Sequence, residues 1–511
     1  MQYQIDNFKV LANNEKNLID IIKSKYKLKK FDYKIITRSI DARDKSNVYF
    51  VYRLMINTNE KLVGKNISKY VSKSVTLDYP QWKFENSPII VGFGPAGIFA
   101  SLYLARCNAK PIIIERGSPI EQRIKDVEEF LENKKLNINS NIQFGEGGAG
   151  AFSDGKLTCN VKNPLINFIF NEFYLHGANE DILYDSMPHI GTDVLRVVVK
   201  NIREEIIKLG GKFYFNTTFK DAYENNNSLI VKTENQEFVT SHLLLGIGHS
   251  AKDTIRHLYL NRKLRMEPKG FSMGVRVEHK ADKISQSQYG QFYKYLPKAY
   301  YKLSEHFANR GVYTFCMCPG GYVMASQSEE KTIVTNGMSN QKREGTNSNS
   351  AILVDIKPSD FDYDILKGLN FQEKYERLAF EIGNDYRAPA NLIKEFLSEE
   401  VASELRSIKT TYPHGLIFCN LRRCLPDFVV DNLKEGIKAF DKKLKGFADP
   451  DAILIGIESR SSSPVRILRD ENRQSNCQYI YPMGEGAGYA GGITSASLDG
   501  LLTAMKITEN K

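Results

Sequence analysis

The sequence predicts an α/β protein of two or three domains, and three observations carry that expectation. At 511 residues the chain exceeds what one compact core holds. Its 42% of hydrophobic residues is ordinary for a folded globular protein and comes without a low-complexity tract. The third observation is local. A short apolar run at residues 89–91 leads into Gly92, Gly94 and Gly97, an apolar helical stretch, and a second apolar run that closes on Glu115.

Strand, glycine turn, helix, strand and acid is the order in which a G-x-G-x-x-G spacing acquires meaning. Gly92 permits the tight turn, Gly94 lets the backbone approach a pyrophosphate, and Gly97 lets helix and strand pack closely. The phosphate would sit at the helix N-terminus, where unpaired N–H groups and the helix dipole favour negative charge. Glu115 is placed to accept hydrogen bonds from a ribose 2′-OH and would repel a 2′-phosphate. A Rossmann-like unit holding FAD or NAD, over NADP, is the reading.

The seven cysteines are scattered and odd in number, which suits reduced thiols in a cytoplasmic protein and not a disulfide frame. No Cys/His cluster has zinc spacing, so no metal is expected. The first residues are polar and mixed in charge, unlike a secretory signal, and no apolar run reaches membrane-spanning length. The net charge of +10 is uneven: residues 1–85 hold 17 Lys and Arg against 9 Asp and Glu, and the remaining 426 residues hold 53 against 51. A basic N-terminal segment hints at RNA or a membrane surface as partner; a solvated lysine-rich face is the blander reading and is preferred.

In chain order, residues 1–85 read as a small basic α/β domain. A helix is expected at 14–27, strands at 34–40 and 48–56, a second helix at 60–70 and a last strand at 71–77, in a split β-α-β layout. Residues 78–87 link it to the nucleotide fold, whose first part spans 86–265. Ser118 with Glu121 has capping-box spacing, with Pro119 at the first helical position. Gly145, Gly147, Gly148 and Gly150 form a loop that lets backbone approach an anionic or flat ligand, with Glu146, Ser153, Asp154 and Lys156 as nearby polar groups. A helix from Thr192 stops at Gly210 and Gly211, strands are expected at 213–219, 229–233 and 237–246, and the last runs into Gly246-Ile247-Gly248.

Residues 266–450 change character and read as a mixed α+β substrate or cap domain. Strands are expected at 273–278 and on both sides of Pro319-Gly320-Gly321, a polar loop at 343–350, and helices at 371–382, 389–405 and 432–444. Cys316 and Cys318 would share one strand face. Their Cα separation, roughly 6.5 Å or more when extended, is at the limit for a disulfide, and no Lys or His adjoins them, so inert buried thiols are expected. His189, His279 and His414 stand alone. A strand at 452–457 and a glycine-rich entry into a helix near Thr494 make 451–511 the last part of the nucleotide fold.

These stretches resemble flavoproteins of the glutathione-reductase-like superfamily, which hold FAD with a glycine fingerprint, a strand ending in Gly-x-Gly, and a Gly-Asp pair before the last helix. Here that pair is Gly484-Glu485. More closely, FGEGGAGAFSDGKL, PKGFSMGVRVEH, YTFCMCPGG, ESRSSSPVRI and YPMGEGAGYAGGITSA resemble a bacterial family of FAD-dependent dehydrogenases with a dedicated C-terminal domain. The resemblance implies one discontinuous FAD-binding domain around an inserted domain. It implies that Gly92, Gly94, Pro95, Ala96 and Gly97 hold the pyrophosphate, and that Glu115 with Arg116 meets the adenosine ribose. Gly147, Gly148 and Gly248 would lie against the flavin or its phosphates and Gly484 with Glu485 against the ribityl–pyrophosphate portion. Gly491, Gly492 and Ile493 would aim a helix N-terminus at the flavin C2 carbonyl. The expected function is hydride transfer between a small-molecule substrate and flavin N5, with NAD(P)H as a candidate electron donor. Arg460, Ser461 and Ser463 come first as substrate-side groups, then Cys316 and Cys318, and no catalytic acid or base is assigned. The rival expectation is a flavoprotein that binds or acts on RNA through its basic N-terminal domain.

Overall fold

Strands covered on both faces read as unbroken apolar runs, and four such runs build the sheet at the centre of this protein. In the computed structural model, which describes residues 1–72, 75–307 and 309–509, Ile480–Pro482, Leu243–Leu245, Ile89–Val91 and Ile112–Ile114 lie side by side in that order. Lys212–Tyr214 stands at the edge, and every pairing is parallel. The chain builds outward from Ile89–Val91 in one direction, then returns to build in the other. A crevice therefore opens beyond the carboxyl ends of the strands where that order reverses.

The helix Pro95–Arg106 follows the first glycines and is buried along almost its whole length, because the last helix, Ile493–Glu509, lies across it. The crossing is close: a Cβ on Gly500 would stand 2.0 Å from the carbonyl oxygen of Ala96. Thr192–Lys208 covers the sheet with its Leu195, Val198, Ile202 and Ile206 face. An antiparallel meander of Phe219–Asn225, Ser228–Thr233 and Glu237–Thr240 leads back into the parallel sheet.

Residues 271–458 supply a second, seven-stranded sheet in the order Ser304–Phe307, Arg310–Cys318, Asn347–Ile356, Phe271–Lys280, Ile453–Glu458, Ala388–Leu392, Leu416–Phe418. Only the last pair is parallel. Ile365–Gly383 and Asp427–Lys443 pack on it around a core that includes Val275, Ile352, Val430, Ile437 and Phe440. At the N-terminus, Gln2–Leu11 and Phe31–Asp41 flank Tyr49–Thr58, with the helix Leu18–Tyr26 between them in sequence, a split β-α-β arrangement. Phe292 enters the core of that sheet, and Arg38 grips both carboxylate oxygens of Asp185 at 2.6 and 2.8 Å.

Five local features depart from the sequence reading. The strand Gln2–Leu11 is unexpected because a register shift between Ile5 and Phe8, with Asn7 at φ 55°, breaks its two-residue period. Residues 60–70 form no helix: Glu60 turns back to accept from Lys29 N at 3.0 Å, and Ile67–Lys69 adds an edge strand. Of the strand expected at 71–77, residues 73 and 74 lie outside the described residues, and the others form no strand. Residues 389–405 open as the strand Ala388–Leu392 and then the short helix Ile393–Ser398, since pairing with Ile453–Glu458 overrides an apolar pattern compatible with either period. The polar loop expected at 343–350 is half strand. Asn347, Ser348 and Asn349 are buried there because Glu278, Gly320 N and Arg276 satisfy them.

Burial pushes the imidazoles of His242, His279 and His414 down to about 4. Nδ1 of His279 and Nε2 of His414 are buried without partners, which suits neutral rings. An unfolded chain protonates these groups near 6.5, so below that pH the unfolded state binds more protons than the folded one. These three groups therefore lower stability as pH drops from about 6.5 towards 4, and outnumber the two buried carboxyls raised to about 7, Glu146 and Glu458, which act the other way. Urea midpoints measured from pH 7 to pH 5 should decline, and His242→Gln should flatten the decline. A midpoint constant over that range would contradict the account.

Candidate functional site

The carboxyl ends of the parallel strands meet one cavity of about 890 Å³, towards the upper end of small-molecule sites, about 300–1,000 Å³. Its floor is backbone. Gly92 has φ 93° and would place a Cβ 2.3 Å from Gly246 O, while a Cβ on Gly97 would fall 1.9 Å from Gly92 O. No side chain fits at either position. Gly94 is the N-cap of Pro95–Arg106, with no side-chain cap, so the first N–H groups of that helix are presented to the cavity. Gly148, at φ 59°, faces Gly94 so closely that its Cβ would lie 2.9 Å from Gly94 Cα. Gly248, Gly491 and Gly492 would meet nothing within 4 Å; they look onto open space.

Of the expected cofactor residues, Gly92, Gly94, Pro95, Ala96, Glu115, Arg116, Gly148, Gly248, Gly484, Glu485, Gly491, Gly492 and Ile493 line this cavity, and Gly97 and Gly147 do not. Gly97 serves helix packing. Gly147 turns at φ 87° with its N–H donated to Phe93 O at 2.8 Å, tying the two glycine loops together. Glu115 Oε1 accepts from Gly117 N and Gly145 N at 2.9 and 3.0 Å, and Oε2 from Phe93 N at 2.8 Å. The carboxylate thus fixes three loops and keeps accepting capacity on Oε2. Arg116 stacks on Phe144 at 4.5 Å and bonds Asp253. Gly484 N donates to Asp499 Oδ2 at 2.7 Å; Asp499, held by Arg469 and Arg473, is a positioning residue that sequence reasoning missed.

Other expectations change role. Ser118 does not cap the next helix; its hydroxyl donates to Asp126 and Asn216. Glu146, expected as a polar contact for the ligand, is wholly buried and does that capping instead, accepting from Ile120 N at 2.7 Å and Arg203 at 2.8 Å. Burial raises its carboxyl to about 7. Arg460 and Ser461 line the cavity but Ser463 does not. Arg460 is locked by Glu376 at 2.8 and 3.0 Å, and Ser461 Oγ donates to Ser272 O at 2.9 Å, so both are held from behind.

The opposite wall comes from the seven-stranded sheet, with Thr314, Phe315, Cys316 and Glu458, and from Asn336 of a separate two-stranded sheet. Lys156 faces them from the loop after the second glycine cluster. Its Nζ is buried without a hydrogen-bond partner, 4.7 Å from the Tyr300 ring centre and 4.0 Å from Asp154 Oδ2. Asp154 itself bonds Arg343 and Ser339. Burial opposes ionisation of Asp154, but Arg343 and Lys156 outweigh it and hold the carboxyl below its ordinary value. The expectation that both thiols are buried fails for Cys316, which is half-buried and lines the cavity. The lysine that lines the same cavity is 160 positions away in the chain, beyond what adjacency in sequence could signal.

A family described as "FAD-dependent protein, C-terminal domain-like" matches residues 270–461, the segment of the seven-stranded sheet. An uncharacterised protein of Clostridium beijerinckii is 43% identical over 530 aligned positions, covering 100% of this chain and 99% of that one. The chain belongs to this family of FAD-dependent proteins. Its cofactor is FAD, and the glycine cradle, free helix N-terminus and open space over Gly248, Gly491 and Gly492 fit such a group. Among solved structures, CtdE in complex with FAD is 10% identical over 83% of this chain and 84% of its own, at a TM-score of 0.34. The halogenase PltM is 9% identical over 83% and 69%, at 0.39. At those scores neither bears on the reaction. Among the described residues no helix is long and apolar enough to cross a membrane.

Glu115→Gln replaces one acceptor by a donor that faces backbone N–H groups. The expected result is a loss of about 1–3 kcal/mol in urea unfolding together with at least tenfold weaker FAD binding by fluorescence titration. Unchanged affinity would remove Glu115 from the site.

Proposed function

We propose that the protein is an FAD-dependent oxidoreductase of the dehydrogenase type, taking a hydride from, or giving it to, a small-molecule substrate at flavin N5, with NAD(P)H as electron donor. The bound FAD would supply the redox chemistry, and the protein would position and tune it. The observation that carries the reading is that one continuous cavity joins the backbone cradle to a wall of ionisable side chains. A site that only stored the cofactor would have no need of Lys156 and the buried Arg276–Glu458 pair at its far end.

In this reading residues 86–265 and 451–511 form one discontinuous, Rossmann-like FAD-binding domain, residues 266–450 the inserted domain, and residues 1–85 a separate N-terminal domain. Gly94 and Ala96 offer N–H groups to the pyrophosphate, and Gly92, whose N–H is bonded to Ile114 O, and Pro95, which has none, shape the turn against it. Glu115 accepts from the adenosine ribose through Oε2. Gly484 and Glu485 meet the ribityl–pyrophosphate portion. Gly491, Gly492 and Ile493 place the N-terminus of the last helix where it favours negative charge on the flavin ring. Gly97 and Gly147 act at one remove, by setting these loops. The substrate enters beside Lys156, whose ammonium, without a hydrogen-bond partner, favours an anionic or electron-rich group.

Purified protein should carry the absorption bands of bound flavin. Gly148→Val, which forces a side chain against Gly94, should weaken FAD at least tenfold, about 1.4 kcal/mol. Anaerobic NADH or NADPH, or a fraction of a metabolite pool, should bleach the bound flavin. A colourless preparation that takes up no FAD would overturn the cradle. Flavin that is bound but that no donor reduces would overturn the oxidoreductase reading while leaving the cradle intact.

A further inference from the structure

One group on the far wall has no part in the hydride-transfer reading. The strand Arg310–Cys318 pairs with Asn347–Ile356 regularly up to Phe315↔Ala351, and pairing resumes at Cys318↔Asn349. Three steps along one strand face two along the other, a β-bulge. Cys316 occupies it at φ 43°, a conformation rare for a side-chain-bearing residue and often a sign of function. The bulge cancels the strict alternation that made both thiols share one face. Cys316 borders the cavity, whereas Cys318 lies fully buried behind it. The two remain in touch: Cys318 Sγ donates to Cys316 O at 3.3 Å.

The charges around Cys316 come from four elements. Lys156 brings its unpartnered ammonium from the loop. Arg276 donates from Nη1 to Cys316 O at 3.1 Å. Asp154 is engaged by Arg343, and Glu458 by Arg276 at 2.6 and 2.7 Å. The neighbouring Cys318 thiol, helped by Lys156 and Arg276 and opposed by burial and Asp154, holds the Cys316 thiol below its ordinary range. The closeness of Cys316 and burial push Cys318 well above it. A thiolate next to a protonated thiol is the arrangement that thiol–disulfide exchange uses.

We propose that Cys316 and Cys318 form a redox-active dithiol that reduces a small-molecule disulfide admitted to the cavity, with Cys316 as attacking thiolate, Cys318 as resolving thiol and Lys156 as the cation that holds the thiolate. Cys316 Sγ attacks one sulfur of R–S–S–R; that bond breaks, one RS⁻ leaves, and a mixed disulfide forms on Cys316. Cys318 then gives up its proton and attacks Cys316 Sγ, and the second RS⁻ leaves as the Cys316–Cys318 bond forms. The chain loses two electrons, the two released sulfurs gain them, and the Cys318 proton goes to a released thiolate. This chemistry concerns protein thiols alone and does not depend on the hydride-transfer reading.

The test uses FAD-loaded protein, reduced with dithiothreitol, desalted, and mixed anaerobically with 5,5′-dithiobis(2-nitrobenzoate) as the disulfide. After alkylation and digestion, mass spectrometry should find the peptide bearing Cys316 and Cys318 internally disulfide-bonded. A Cys159→Ser background removes the other half-buried thiol of the cavity. Cys318→Ser should leave a lasting mixed disulfide on Cys316, and Cys316→Ser should abolish the fast reaction. Lys156→Met should slow the reaction at pH 7 about tenfold and shift its pH profile upward, which a merely structural lysine would not do. Wild-type protein whose Cys316 stays unmodified, or whose mixed disulfide never resolves, would overturn the proposal. That reading needs no variant to fold.

Discussion

Backbone against backbone at the reversal point of the parallel sheet is the constraint on which the rest depends. Gly92 lies against Gly246 O, Gly97 against Gly92 O and Gly500 against Ala96 O, each closer than a Cβ allows. Gly246 N and Gly92 N donate across neighbouring strand ends, to Val91 O and Ile114 O at 2.8 Å. These contacts draw three chain segments, about 90, 245 and 500 in sequence, to one spot. The cavity exists because nothing but main chain occupies its floor. A methyl group at any of these positions would separate strand from helix, at a cost of about 1–3 kcal/mol for an overpacked site.

The second sheet is fastened to this floor by buried charge. Lys252, at the start of the helix that follows Gly248, reaches Glu376 at 3.1 Å, and Glu376 also holds Arg460 and Ser459. Arg276 and Glu458 pair on adjacent strands with both partners buried. Such pairs add little net stability compared with apolar packing, but losing one partner strands a charge and costs about 3–5 kcal/mol. Their role here is register: they fix where the strand ends at Cys316 and Glu458 stand relative to the glycine loops.

The parallel-sheet half was legible in the sequence because its rules are local. A three-residue apolar run, a glycine with positive φ and a following helix are all written within thirty residues, and the cofactor cradle follows from them. Glu115 was legible for the same reason, though not its hold on three loop N–H groups. What escaped was set by contacts across the chain. Ser118 had every local mark of a cap, yet Glu146 takes that place, because the second glycine loop folds over the helix start. Asn347 and Asn349 read as loop because nothing nearby reveals that Glu278 and Arg276 wait to pair with them. The strand Gln2–Leu11 was hidden by its own bulge.

The same division separates the two walls of the cavity. The cradle acts through N–H groups, which any residue supplies, so its sequence record is the absence of side chains: glycine where a Cβ would collide. The facing wall acts through side chains whose meaning depends on their neighbours. Cys316 in a regular strand is an inert thiol. In a bulge, with Cys318 buried behind it, it borders the cavity. A residue between 315 and 318 that has no partner on Asn347–Ile356 is a purely tertiary fact, and the proposed exchange chemistry rests on it.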